Sequence, residues 1–567
     1  MSTSYFISVV VLAVSVIGAI VTYLLNAKKE TKPAWLKPAS VVFAVLFLIS
    51  TVFISIGVAT GQLQTPLLPV RFDPNLEGHH ENIVDKKGNS YTGQFEAGYY
   101  HGRGTLTYAD GSVYEGEWVR GLRDGQGRLK SFEGWTYDGK WSNDKMNGKA
   151  TYTFKDKSTY VGSFKDNRKS GEGIRKFKSG ESYDGQWERD QFNGKGAYTY
   201  LDKSTYEGFW KNGLPNGEGT YTAADGPKVE GNWKDGIKSG FAIKTFKDGS
   251  VYRGQYADDM PNGEGTYASA SGWTYKGSFK DGIKSGKGTL THADGAQYAG
   301  SFANDLKNGA GRQVFADGSV YDGNWVDNKE SGKGIYTSAS GWNYNGDWVG
   351  GLRSGNGTYT YKNGSVYTGQ FSNNKENGQG TYTDAKGWTY TGAWKDGMRQ
   401  GRGKLTHADG SVYDGDWNAN KEHGIGTFTS AGGWSYSGSW QSGLKSGSGT
   451  YVYANGSTYS GNWKNDLENG QGTHKDASGW EYVGEWKDGL RHGKGTLTYI
   501  DTSHYSGDWR NNVKSGQGTQ TYFDNQGKYF GIYTGAFDAD KRNGTGTFTY
   551  ASGYIQSGQW KNDNFME

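Results

Sequence analysis

Few residues in this chain have an obvious chemical use. His79, His80 and Glu81 stand together and could chelate a metal, but no second pair follows at metal-site spacing, so they read as a solvated segment and no metal site is expected. His101, His292, His407, His423, His474, His492 and His504 are scattered, with no nucleophile or carboxylate at a fixed interval, so no catalytic constellation emerges. Cysteine is absent, which excludes thiol catalysis, disulfides and cysteine-ligated zinc. Glycine pairs such as Gly102 and Gly104 superficially suggest a phosphate-binding loop, yet they recur throughout and precede a strand rather than a helix. No cofactor is expected. Asn356, Asn363, Asn455 and Asn543 head glycosylation sequons, at a frequency that turn chemistry alone produces. The aromatic residues offer more. Trp135, Trp273, Trp342, Trp388, Trp434 and Trp480 occupy one recurring position, where a ladder of indoles could stack on sugars or insert among lipids.

What positions those indoles is a repeat. A tyrosine followed two residues later by glycine and four later by an aromatic occurs at Tyr91, Tyr114, Tyr137, Tyr160, Tyr183 and Tyr206, always 23 apart. The register continues to Tyr505 with Val229 replacing one tyrosine, and a five-residue insertion near Gln526 moves the next anchor to Tyr533. Gln556 begins a truncated unit, so twenty complete repeats and one partial repeat occupy 91–567.

Within one repeat, Tyr114, Gly116 and Trp118 share a strand face while Glu115 and Glu117 share the other. The return segment alternates too, with Gly102, Gly104, Leu106 and Tyr108 opposite Arg103, Thr105 and Thr107. Each repeat therefore reads as a half-buried hairpin. Glycine two residues after the anchor leaves a gap in which a neighbouring ring can lie against the backbone. Seven residues after the anchor stand Gly121, Asp144, Asn167 and Gly213, types that tolerate a left-handed turn. A second turn, containing Asp110 and Gly111, leads to the next hairpin. A lone hairpin is marginal, so neighbours must cover its aromatic face. The expected fold is all-β, an elongated solenoid of stacked antiparallel β-hairpins, about 190 Å long if the stack is single-file. The 93 glycines do not signal disorder, because aromatics reach 15%.

A longer period lies inside the first. Two residues before the anchor, Ser319, Trp342, Ser365, Trp388, Ser411, Trp434, Ser457, Trp480 and Ser503 alternate strictly, a rhythm of 46. Turn residues follow it, with Gly351, Gly397, Gly443 and Gly489 in tryptophan repeats and Asn328, Asn374, Asn420, Asp466 and Asn512 in serine repeats. Ala296 breaks the phase, separating a less regular first half from a pair-duplicated second half. Trp342 has the parity of Tyr344, so core packing competes with the ligand-facing reading of this row.

The N-terminus has another character. Residues 5–25 and 39–61 carry no charge, and each is long enough to cross a hydrocarbon core of about 30 Å as a helix. Two transmembrane α-helices are therefore expected in an anchor spanning 1–61, followed by a Pro-containing linker at 62–90. Between the helices Lys28, Lys29, Lys32 and Lys37 face only Glu30, which places the short loop in the cytoplasm and both termini outside it.

The pattern from Tyr482 through Gly484, Trp486, Gly489 and Gly493 to Gly495 resembles the MORN repeat (membrane occupation and recognition nexus). The resemblance implies an elongated grooved sheet of antiparallel hairpins. It also implies a scaffold, with phospholipid contact in some members and dimerisation in others. Catalysis, where it accompanies such repeats, resides in a separate domain, and no segment outside the array is long enough here for one. The expected function is a membrane-anchored, non-enzymatic scaffold that binds a protein partner, within a larger complex or as a homo-oligomer. The alternative is a lipid- or polysaccharide-binding module using aromatic and basic faces. A net charge of +4 from evenly mixed residues does not predict nucleic acid.

Overall fold

The computed structural model describes Pro69 and residues 71–566, and these contain 43 β-strands and no helix. The expected spans 5–25 and 39–61, with Lys28, Lys29, Lys32 and Lys37, lie outside the described residues. Among the described residues no helix is long and apolar enough to cross a membrane. The chain divides into two compact units, the first ending at Ser170 and the second beginning at Gly171.

In the first unit, β1 (Gly78–Val84), β2 (Ser90–Glu96), β3 (Tyr99–Thr107), β4 (Val113–Val119) and β5 (Leu122–Lys130) pair antiparallel in sequence order. A hairpin joins β4 to β5 through Arg120 and Gly121, at φ 52° and 80°. Positive φ at both central residues matches the right-handed twist of the flanking strands, and the next turn, Asn143 and Asp144, repeats it at 48° and 62°. Arg120 aside, these are the residue types expected at such turns.

The hairpin is not a plain ladder. Gly116 opposes Gly127, but Trp118 opposes Arg123, so Glu117 faces a bulge at Asp124, Gly125 and Gln126. Gly125 takes φ +105°, a conformation that side-chain-bearing residues rarely adopt. The bulge leaves Glu117 without a partner residue on β5, and its carbonyl accepts the Tyr114 hydroxyl at 3.1 Å. To reach it, the Tyr114 ring lies across both glycines of the cross-strand pair, where a Cβ on either would overlap the phenol. The ring filling the glycine gap thus belongs to the same hairpin, not to a neighbour as the sequence suggests.

Neighbours close the aromatic face from the sides. Tyr114 meets Trp118 of its own hairpin and Trp141 of the next edge-on, with centroids 4.9 and 5.5 Å apart. The Trp141 indole N–H donates to the Gly127 carbonyl at 3.0 Å. Tyr114 is thus enclosed between successive tryptophans in the T-shaped geometry that the ring quadrupole favours, and other anchors meet phenylalanine in the same way, as Tyr275 does between Phe279 and Phe302.

The segment expected as a linker is structured from Phe72 onward. Its strand β1 covers the outer edge of β2, and the Phe72 ring lies 5.5 Å from both Phe95 and Tyr100. Asp85 to Asn89 form the same five-residue turn that separates later hairpins. An open edge strand invites pairing with another chain, and this half-repeat without the glycine signature caps it.

The second unit repeats the scheme from Gly171 to the short last strand, Asn564–Met566. Tyr321, for example, packs edge-on to Trp325 at 5.1 Å and to Trp348 at 5.3 Å. One of its buried clusters, running from Val229 to Phe371, is almost entirely such rings. Burial raises the phenol pKa of Tyr344 to about 12, so the row stays neutral at physiological pH. The five-residue insertion does not break the sheet. It lengthens two strands, Val513–Phe523 and Tyr529–Asp538, around a retained five-residue turn.

Candidate interaction surface

Where a tryptophan precedes the anchor, its indole stands in the turn between hairpins and stacks on rings of the return strands. Trp342 lies between Tyr336 and Tyr359 at 4.8 and 5.3 Å, nearly parallel to both. Trp434 lies likewise between Phe428 and Tyr451 at 4.8 and 5.2 Å. Trp388 rests on Tyr382 and Trp480 on His474, each at 4.8 Å, while Trp273 stacks on Tyr267 and Trp135 on Tyr152. All six indoles are half-buried. Trp342 and Trp434 have both faces against other rings and present their edges to solvent.

Where serine precedes the anchor, it is buried and joins successive turns. The Ser365 hydroxyl accepts the Ala385 N–H at 3.1 Å and donates to the Asp384 carboxylate at 3.3 Å. The two repeat types also differ at the hairpin turn, as the 46-residue rhythm anticipates. In serine repeats the turn side chain reaches the preceding hairpin, Asn374 Oδ1 accepting the Arg353 N–H and Asn420 Oδ1 the Arg399 N–H, both at 2.8 Å. In tryptophan repeats the glycine at this position connects through its backbone, as from Gly351 N–H to the Glu330 carbonyl at 2.9 Å.

Sequence reasoning missed the residue two positions after that turn. It is a cation in the tryptophan repeats, Arg353, Arg399, Lys445 and Arg491, and a glutamate in the first four of these serine repeats, Glu330, Glu376, Glu422 and Glu468, while the fifth carries Lys514. The cations lie over aromatic rings, Arg399 at 4.2 Å from the Trp417 centroid and Arg491 at 4.3 Å from that of Trp509. Burial lowers the pKa of Arg399 and Lys445. Glu376 and Glu468 instead accept the hydroxyls of Tyr361 and Tyr453, at 2.7 and 3.0 Å. Extending the 46-residue comparison to this position would have revealed the alternation.

The opposite face is mainly polar, with Ile335, Ile425 and Val483 exposed on it, and in the last repeats it carries rungs of paired hydroxyls. Thr358 meets Thr368, Thr381 meets Thr391, Thr450 meets Ser460 and Thr496 meets Ser506, at 3.0–3.2 Å across adjacent strands.

His79 and His80 lie on β1 rather than in a loop. The His80 imidazole contacts the Glu77 carbonyl at 2.8 Å, and its ring packs 5.6 Å from Phe95. Among the described residues no three metal-ligating side chains cluster.

This architecture defines a β-hairpin repeat protein in which neighbouring repeats bury a common aromatic row and leave two repetitive faces outside. The MORN repeat family model matches twenty successive segments, the first at 91–113 and the last at 533–553, and the chain belongs to that family. No curated protein matches. Among solved structures, the wild-type TCP10 domain of Danio rerio CPAP is similar at 12% identity over 38% of this chain and 91% of that one, with a TM-score of 0.20. The Drosophila melanogaster SAS-4 (dCPAP) TCP domain, solved with a proline-rich motif of Ana2 (dSTIL), is similar at 15% identity over 31% and 90%, with a TM-score of 0.17. At these scores neither likeness bears on function.

Proposed function

We propose that this protein is a membrane-anchored, non-enzymatic scaffold whose repeat array binds a protein partner. The observation that carries the reading is one arrangement presented four times in register: an indole, a cation over aromatic rings and a turn Asn or Asp. Trp342 with Arg353 and Asn374 is the first copy, and Trp480 with Arg491 and Asn512 the last. Copies at a fixed interval suit a multivalent partner or a second array, since linked sites raise avidity by roughly 10²–10⁴ without new contacts. Affinity purification of the full chain from detergent extract should return a stoichiometric protein partner. Repeated recovery of the chain alone would remove the reading.

The anchor reading rests on the uncharged stretches 5–25 and 39–61, and its direction on Lys28, Lys29, Lys32 and Lys37. The proposed topology puts the loop in the cytoplasm and the array outside it. Reporters fused near Lys32 and at the C-terminus test this, and a cytoplasmic C-terminus would turn the protein into a tethered cytosolic scaffold.

The hydroxyl rungs favour a second reading, contact with a neutral polysaccharide through the polar face. Lipid contact through the indole edges of Trp135, Trp273, Trp342, Trp388, Trp434 and Trp480 is its companion. Co-sedimentation with insoluble cell-wall polymer and flotation with liposomes separate the two, and failure of both leaves the protein-binding reading.

A further inference from the structure

Most repeats are tied to the one before by an indole, because the tryptophan that follows the anchor donates its N–H across the sheet to a glycine carbonyl of the preceding repeat. Trp210 reaches the Gly196 carbonyl and Trp325 the Gly311 carbonyl, both at 3.0 Å. Between these two the tie is absent from four successive repeats. The Trp233 indole nitrogen is buried without a hydrogen-bond partner, as is the Tyr256 hydroxyl, while Phe279 and Phe302 have no donor. Elsewhere among the described residues the donor is missing only from single repeats, at Phe95, Phe164, Phe371 and Phe537.

The same stretch lacks other devices of the array. Val229 replaces the anchor tyrosine, so no phenol spans the bulge to the Asn232 carbonyl as Tyr252 does to that of Gln255 at 3.0 Å. Pro227 and Ala296 stand where most repeats carry the tryptophan or serine that joins successive turns, whereas Ser250 and Ser319 accept the Ala270 and Ala339 N–H groups at 3.0 Å. Across from Val229 lies Lys244, half-buried, its ammonium 4.5 Å from the centroid of the Phe246 ring. Burial, and then the neighbouring Lys238, lower its pKa. One such cation further on, Lys307 instead donates to the Gln313 amide oxygen at 2.5 Å. A buried donor without a partner forfeits its hydration and gains no bond in return.

We propose that the stretch from Val229 to Phe302 is a compliant joint within the second unit, where the array opens and bends first. In a stacked array stability is a sum of repeat and interface terms, so bonds lost at successive interfaces concentrate opening there instead of spreading it. The ladder itself continues through the joint, each strand from Lys228–Lys234 to Gln297–Ala303 pairing with both neighbours. The joint therefore yields by loosening its aromatic face and not through a gap in the sheet. The copies of indole, cation and turn residue from Trp342 to Asn512 all follow it in sequence, so the joint lets that surface reorient as one body. This use rests on the scaffold reading above, but the joint itself does not.

The chain contains no cysteine, so spin labels can be placed by substitution in the full chain in detergent. Lys211→Cys with Ala303→Cys spans the joint. Lys395→Cys with Lys487→Cys spans the same number of residues at equivalent exposed positions, across repeats whose indole ties are all made. Electron–electron double resonance should give a distance distribution roughly twice as broad for the first pair as for the second. Equal widths overturn the proposal. Amide exchange should likewise run roughly ten-fold faster in Lys228–Lys234 and Ile237–Thr245 than in Thr389–Lys395 and Met398–Thr406, and equal protection overturns it too. Tyr256→Trp, Phe279→Trp and Phe302→Trp together supply the missing donors and should narrow the first distribution to the width of the second. A width left unchanged would show that the missing ties do not make the joint. If the joint is found and no partner is ever recovered, the scaffold reading alone fails. A partner recovered alongside equal widths leaves that reading standing without the joint.

Discussion

Asn374 holds Arg353 at two points: its carboxamide oxygen accepts the Arg353 backbone N–H at 2.8 Å, and its carbonyl accepts the guanidinium at 2.6 Å. The same pair recurs 46 residues later at Asn420 and Arg399. Glycine at this turn keeps only the backbone link, so the two repeat types are joined to their predecessors with different strength. Asn374→Gly retains a backbone that accepts φ 71° but loses the side-chain bond, at a cost of about 1 kcal/mol. Native-state hydrogen exchange in Leu352–Thr360 should quicken accordingly, and Asn374→Asp, which mirrors Asp466, should leave it unchanged. A local readout is needed because long repeat arrays do not unfold as one cooperative unit.

The glycine pair beneath each tyrosine is a second test. A Cβ at Gly495 would meet the Tyr482 phenol, so Gly495→Ala should destabilise by about 1–3 kcal/mol. Tyr482→Val should recover part of that loss, because the chain already combines Val229 with Ala242 in this way. Tyr137 coexists with Ala150, its hydroxyl only 2.6 Å from the Lys140 carbonyl where Tyr482 to Glu485 is 3.0 Å, which points to the lower end of the range. A double-mutant cycle read by native-state hydrogen exchange in Glu481–Lys487 and Leu490–Thr498 measures the coupling, and strict additivity would refute the steric account.

Trp342 stacks on two rings, so Trp342→Ala should cost about 2 kcal/mol from stacking and burial together. Exchange in Lys329–Thr337 and Leu352–Thr360 should rise on both sides of the lost indole. An unchanged exchange pattern would mean that the indole is held for a ligand rather than for the fold.

His474 supplies a pH dependence. Its ring rests on Trp480, and burial lowers its pKa below the ordinary imidazole value. The unfolded chain, with an imidazole titrating near ~6.5, then binds the proton more readily than the folded one. Stability is full above that pH, falls as the pH drops toward the folded-state pKa, and levels off once both states are protonated. Amide protection factors in Leu467–Lys475, measured on either side of neutrality, should show this loss on the acid side. His474→Tyr, the residue found at Tyr451, should abolish it.

Much of this architecture follows from residue type and spacing alone. The 23-residue period, the parity that puts Tyr114 and Trp118 on one face, and the Asn, Asp and Gly turns are local properties, since alternation sets side-chain direction and few residues tolerate positive φ. The 46-residue alternation was equally legible, and it located the turns that differ. The role of the glycine pair was not, because the same spacing admits a ring from either hairpin. Only the bulge opposite Glu117, which frees a carbonyl for the Tyr114 hydroxyl, decides between them.

By itself, then, the sequence determined a hairpin repeat with one aromatic face, its register and its two alternating types. Tertiary structure alone decided which ring covers which glycine, that Gly78–Val84 caps the first hairpin, and that Trp342 and Trp434 show edges rather than faces. It also decided that Gln520 is buried, its amide held between Lys514 and the Thr521 carbonyl. The physical reason is that strand faces are set by neighbours along the chain, whereas ring orientation is set by neighbours across strands, one or two repeats away.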